Sequence, residues 1–157
     1  MDEALVYAVK EEILSSIIKK HNIIFLSGWS KTGKTITTLK TIAYFEVRLY
    51  FSPIKQSTKI VLSIDPEIQI LGSVSSYISV NSEDTIFVID DYSSSDNNIK
   101  LEVHDVLKNK KTNTKILLIV RAFLDIKDLL IYADALVRFK KNTAEVIYSR
   151  FQEAENV

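Results

Sequence analysis

Gly28-Trp29-Ser30-Lys31-Thr32-Gly33-Lys34-Thr35 fills the pattern G-x-x-x-x-G-K-[ST] without a substitution. This is the spacing of a phosphate-binding loop, in which backbone N–H groups cradle phosphate oxygens, the lysine reaches the terminal phosphates and the hydroxyl ligates Mg²⁺. The flanks suit it. Ile23-Ile24-Phe25-Leu26 is a short apolar run that reads as a buried strand. Behind Thr35, residues 36–51 contain neither Gly nor Pro and space Ile36, Leu39, Ile42-Ala43 and Val47 at helical intervals, which predicts a helix over 36–51. A helix starting there would aim its positive dipole end at the anion. The chain has only three glycines, and two of them stand at the loop's spacing. Glycine is useful where backbone must approach a ligand or adopt positive φ, so this placement supports the reading.

Working outward, 157 residues suffice for one domain with a proper core, taken here as 1–157 with an N-terminal helix over 1–20 and a core over 23–151. Twenty basic residues balance twenty acidic ones, so global charge announces no nucleic-acid partner. The absence of cysteine excludes disulfides, thiol chemistry and cysteine metal sites. No apolar run approaches the roughly 20 residues of a membrane span, and Asp2 and Glu3 stand where a signal peptide would be basic. The expectation is a cytoplasmic protein with no membrane partner.

In order, 2–20 reads as an amphipathic helix with Lys10, Glu11, Glu12, Lys19 and Lys20 on its wet side. His21 is then a solvated turn residue. After a Pro-punctuated loop, 60–65 reads as the second strand, closed by Pro66, and 67–79 is ambiguous. The third strand spans 85–91, a helix 99–109, the fourth strand 116–120 and a short helix 126–132. Strands over 135–139 and 144–151, joined by Lys140-Lys141-Asn142-Thr143, form a hairpin. Alternating strands and helices with wholly apolar strands predict an α/β fold: a mostly parallel sheet covered on both faces. Ligands in such sheets bind at the carboxyl ends of strands. That expectation sets the loop, Asp65-Pro66-Glu67, Asp90-Asp91 and Arg121 along one rim.

Asp90 closes four apolar residues, where a carboxylate would hold Mg²⁺ opposite Thr35. An ordinary acidic strand cap is the alternative. Two residues compete to polarise the attacking water. Asp91 follows directly, but is one methylene shorter than glutamate; Glu67 lies beyond the 60–65 segment.

The motifs together resemble the RecA, RadA and KaiC group of P-loop ATPases, from about Ile23 to about Phe151. Leu62-Ser63-Ile64-Asp65-Pro66-Glu67 is similar to the strand that ends in the catalytic glutamate of RecA-like proteins. Residues 86–91 are similar to their Walker B strand, and 113–121, 133–139 and 145–150 to their closing strands. The resemblance implies a three-layer α/β/α sheet of RecA-like order, ATP and Mg²⁺ as ligands, Glu67 as general base and Asp90 as the metal aspartate. It also implies hydrolysis of Mg·ATP in DNA recombination or repair. Arg121 stands where recombinases carry a glutamine, and no DNA-binding or polymerisation segment of a recombinase is present. A minimal paralogue or accessory factor fits better. In ring-forming relatives the last strand ends in lysine, any residue, arginine, and Arg150 matches the arginine while Tyr148 replaces the lysine. That match implies a homo-oligomer, or assembly with a related ATPase, in which Arg150 serves a neighbour's γ-phosphate.

Two rival functions share the motif: a nucleotide-binding regulator with little hydrolysis, and a small P-loop kinase. The kinase is the weaker, since no two of Arg48, Arg121, Arg138 and Arg150 adjoin as an arginine-rich lid requires. For DNA the case is local. Between Lys100 and Arg150 eleven basic residues face six acidic ones, enough for non-specific phosphate contacts or for a plain solvated surface. Tyr92 is either a base-stacking residue or a surface tyrosine.

Overall fold

The computed structural model describes residues 2–80, 84–110 and 113–150. Seven strands form one sheet: β1 (Ile23–Ser27), β2 (Val47–Phe51), β3 (Gln69–Ile70), β4 (Thr85–Ile89), β5 (Lys115–Val120), β6 (Ala135–Phe139) and β7 (Ala144–Ser149). Their order is β3-β2-β4-β5-β1-β6-β7. All neighbours are parallel except β6 and β7, which form the expected antiparallel hairpin. Buried on both sides, the strands divide their alternate residues between two cores. Ile24, Leu26, Val88 and Leu117 pack beneath helices α1 (Glu3–Lys20), α2 (Lys34–Thr41) and α3 (Lys55–Ile64). Phe25, Phe87, Ile116 and Leu118 pack against α4 (Asn97–Lys108) and the 3₁₀ segments Ser75–Ser79 and Phe123–Tyr132. The result is an α/β architecture with three layers.

This order creates a crevice. From β1 the chain crosses to β2 by way of α2, on one face of the sheet. From β5 it crosses to β6 by way of Phe123–Tyr132, on the other face and in the opposite direction. Such a reversal between adjacent strands opens a cleft at their carboxyl ends. The 28–33 loop leaves β1 at that point.

Two expectations are corrected. The helix predicted over 36–51 stops at Thr41, and Val47–Phe51 is β2, lying between β3 and β4. The helical spacing of Ile42 and Val47 concealed a run, Val47-Arg48-Leu49-Tyr50-Phe51, rich in β-favouring side chains. The strand predicted over 60–65 is instead the second half of α3. With β2 already beside β4, no slot remains there for it. Only Val61 of α3 is buried, and Ile60, Leu62 and Ile64 are exposed.

The second correction moves Asp65 and Glu67 as well. α3 returns the chain to the amino-terminal edge of the sheet, and β3 starts from there at Gln69. Arg48, near the start of β2, grips Asp65 with two parallel bonds: Nε to Oδ2 at 2.6 Å and Nη2 to Oδ1 at 3.0 Å. The Arg48 hydrogen bond holds the Asp65 carboxyl below its ordinary pKa. Both side chains are largely out of water, so stranding one charge is costly. Arg48→Met is expected to lose about 2–3 kcal/mol of stability in denaturant unfolding at pH 7. Because the folded pKa of Asp65 is depressed, that difference is complete above the ordinary carboxylate range and vanishes as pH falls through the folded value. An unchanged midpoint at pH 7 would contradict this assignment.

Two residues read as solvated are interior. His21 is 1% exposed, with Nε2 2.8 Å from Ser149 Oγ, and Lys10 is 2% exposed. No helix among the described residues is long and apolar enough to cross a membrane. Lys111, and the end of the last predicted strand at Phe151, lie outside the described residues.

Candidate functional site

The 28–33 loop is shaped by its two glycines. A Cβ on Gly28 would come within 2.9 Å of the Phe139 carbonyl, so β6 presses against the loop where only hydrogen fits. Gly33 has φ 80°, in the left-handed region, and a Cβ there would lie 2.8 Å from the Tyr7 ring. Lys31 also has positive φ, at 67°. Gly28 N–H donates to the Arg121 carbonyl at 3.2 Å, stitching the loop to the end of β5. From Gly33 the chain enters α2 directly, with Lys34 and Thr35 in its first turn.

β4 lies two strands from β1, a gap of about 10 Å across β5 at ordinary strand spacing. The first turn of α2 bridges it. Thr35 Oγ1 donates to Asp90 Oδ2 at 2.8 Å, so the loop motif and the acidic strand end meet as expected. The same Asp90 oxygen accepts the Tyr50 hydroxyl at 2.7 Å, and Oδ1 accepts the Asp91 N–H at 2.8 Å. Asp90 is 3% exposed; burial, then the Asp91 charge, pushes its pKa up. Tyr50, itself buried, has its pKa pushed far up, by burial first and then by Asp90.

Lys34 folds back so that its ammonium donates to the Gly28 carbonyl. Burial lowers its pKa, while the Asp90 and Asp91 charges oppose that shift and Arg121 adds to it. Asp91 takes a left-handed backbone conformation, φ 54°, uncommon for a residue with a Cβ. Its Oδ2 accepts the Ser52 hydroxyl at 2.5 Å, and Ser52 Oγ in turn accepts the Ile54 N–H. Lys34, Thr35, Asp90, Asp91 and Arg121 line one cavity of about 500 Å³. A second, of about 600 Å³, opens on the other side of the loop, with Trp29, Arg121, Phe123, Arg138 and Lys140 in its walls.

Other predicted site residues are elsewhere. Glu67 sits at the opposite, amino-terminal edge, 89% exposed and 3.8 Å from Arg48, and lines neither cavity. Asp65-Pro66-Glu67, expected on the loop's rim, therefore lies at the far edge, because the segment before it is helix α3, which returns the chain there. Arg150 is also at that edge, because β7 runs antiparallel to β6. Its Nη1 pairs with Asp134 Oδ1 at 2.9 Å, and Asp134 Oδ2 accepts the N–H groups of Asn22 and Ile23. Tyr92 is 5% exposed within the second core, which removes it as a base-stacking surface. The local positive charge does not form one track either. Arg121, Arg138 and Lys140 are at the loop's edge, whereas Lys115 donates to the His21 carbonyl and Arg150 holds Asp134 at the far one.

Tyr50 and Ser52 are not among the predicted site residues, because the helical spacing of Ile42 and Val47 conceals β2 and the edge at which it ends. Read as a strand, 47–51 would have delivered both to the carboxyl edge beside Asp90 and Asp91.

The arrangement suits a divalent cation. Two adjoining carboxylates, one of them buried, leave negative charge that such an ion would offset, and Thr35 and Asp90 are the residues placed to hold it. Among the described residues no cluster of acidic or imidazole side chains could retain a metal alone. No protein-family model matches the chain, and no curated protein matches it in sequence.

Proposed function

We propose that this protein binds a nucleoside triphosphate with Mg²⁺ through a P-loop at 28–35 and hydrolyses it. The observation that carries the reading is the 2.8 Å contact of Thr35 with Asp90, made beside Lys34 at the mouth of the crevice. The loop and the start of α2 supply N–H donors and a positive dipole end for the phosphates. Lys34 exchanges the Gly28 carbonyl for phosphate oxygens, and Arg121 adds a second positive charge from β5. Asp91, fixed by Ser52, orients the attacking water and takes its proton as the water oxygen bonds to the terminal phosphorus and the bond from that phosphorus to the bridging oxygen breaks, which releases the nucleoside diphosphate and inorganic phosphate. Mg²⁺, when bound, neutralises charge on the phosphates. The neighbouring cavity, with Trp29, Phe123 and Arg138, is of a size to receive the nucleoside portion.

A RecA-like ancestry draws support from the ends of β1 and β4 but loses its strand-borne glutamate, since Leu62 to Ile64 are helical. DNA is accordingly kept as an arm of the assay, by measuring phosphate release with and without single-stranded DNA. Trp29, the sole tryptophan, is 72% exposed within the loop and reports directly on it. Adding Mg·ATP is expected to change its emission saturably, adenosine is expected to have no such effect, and EDTA is expected to weaken the response. Absence of any change, together with no retention of ATP in equilibrium dialysis, would end the proposal.

A further inference from the structure

We infer that Lys10, on the amino-terminal helix, is a positioning residue that sets the conformation of the 28–33 loop and ties it to the β6–β7 turn. α1 runs antiparallel to β1, so its early turns come level with the loop. Lys10 falls on the same helical stripe as Val6 and Leu14, both buried, yet it carries a charge where the pattern asks for an apolar side chain. Burying an ammonium is costly unless its protons are satisfied. Here Nζ donates to the Thr32 carbonyl at 2.7 Å and to the Lys141 carbonyl at 3.1 Å, and lies 5.4 Å from the centre of the Phe139 ring.

The consequence follows from peptide planarity. In a trans peptide unit, C=O and the next N–H point in opposite directions. Anchoring the Thr32 carbonyl on α1 therefore turns the Gly33 N–H away from α1. Tyr7, one turn before Lys10, packs on Gly33 from the same helix and leaves no space for a side chain. The helix thus holds the loop's last peptide from one side, with a buried positive charge behind it. Because the same ammonium holds Lys141, ordering of the loop and of the 140–143 turn is coupled through one side chain.

This inference uses the phosphate reading only for its ligand arm, so the first test needs no ligand. In amide hydrogen exchange on the free protein, Lys10→Met is expected to speed exchange about tenfold or more in 29–35 and in 140–144 together, while 115–120 keeps its protection. Lys10→Arg, which retains charge and donors, is expected to restore most of it. In the ligand arm, Lys10→Met weakens Mg·ATP binding about tenfold or more, read by Trp29 emission, and Lys10→Arg recovers it. Unchanged exchange, or a change in only one of the two segments, would overturn the inference. So would loss of protection throughout the sheet in both variants, which would make Lys10 a residue of the fold as a whole. If the wild-type protein binds no Mg·ATP, the proposed function fails, and the exchange experiment still decides the role of Lys10.

Discussion

Lys34→Ala is expected to weaken Mg·ATP binding by about 100-fold or more, close to 3 kcal/mol, in a protein that stays folded. The Lys34 ammonium donates to the Gly28 carbonyl, inside its own loop. Removing it leaves that carbonyl at the cavity, where water can replace the bond. The ammonium is mainly desolvated and its pKa is lowered, so its charged form is held at a cost to stability at neutral pH. Truncation removes that cost, and thermal stability should be equal to or slightly above wild type, as is common where a site is built for a ligand. A folded Lys34→Ala protein with wild-type affinity would remove the phosphate reading altogether. A protein that loses affinity together with its sheet would instead assign Lys34 to the fold.

The second large effect separates the two candidate bases. Asp91→Asn is expected to lower turnover by about 100-fold or more, with nucleotide affinity within a fewfold of wild type. Asparagine keeps the size and still accepts from Ser52, but cannot take a proton. Glu67→Gln is expected to leave turnover within about twofold of wild type, since a carboxylate outside the reacting site contributes nothing to proton transfer there. It also leaves stability nearly untouched, because the 3.8 Å contact with Arg48 involves a side chain 89% exposed. Steady-state phosphate release on the two variants is sufficient. Equal loss in both, or loss in Glu67→Gln alone, would mean that the catalytic carboxylate reaches the site by a rearrangement absent from this structure, and would restore the RecA-like assignment of the base.

The contrast between Asp91 and Glu67 shows where local pattern stops being informative. Asp90 and Asp91 follow Ile86-Phe87-Val88-Ile89, a run of β-favouring residues set between polar segments, so a strand closing at the two carboxylates was legible. The segment before Glu67 was equally apolar over Ile60-Val61-Leu62, yet helix and strand cannot be told apart in so short a run. The decision came from competition for one place in the sheet. Val47–Phe51 pairs along its whole length with Thr85–Ile89, which leaves Lys55–Ile64 to form a poorly covered helix. That choice reverses the chain's direction and carries Glu67 to the far edge.

By itself, then, the order of residues determined the α/β class, the loop between β1 and α2, the strand that ends at Asp90, and the closing hairpin. Each depends on side chains near one another in sequence: apolar runs, the two glycines and turn residues. Tertiary structure alone decided which carboxylate faces the loop, that Tyr50 and Ser52 reach Asp90 and Asp91 from β2, and that Lys10 is interior. It also decided that the basic residues divide between the two edges of the sheet. These outcomes depend on strand order and on the direction in which each strand runs. A charged side chain is placed by whichever distant carbonyl or carboxylate the assembled fold brings within about 3 Å of it.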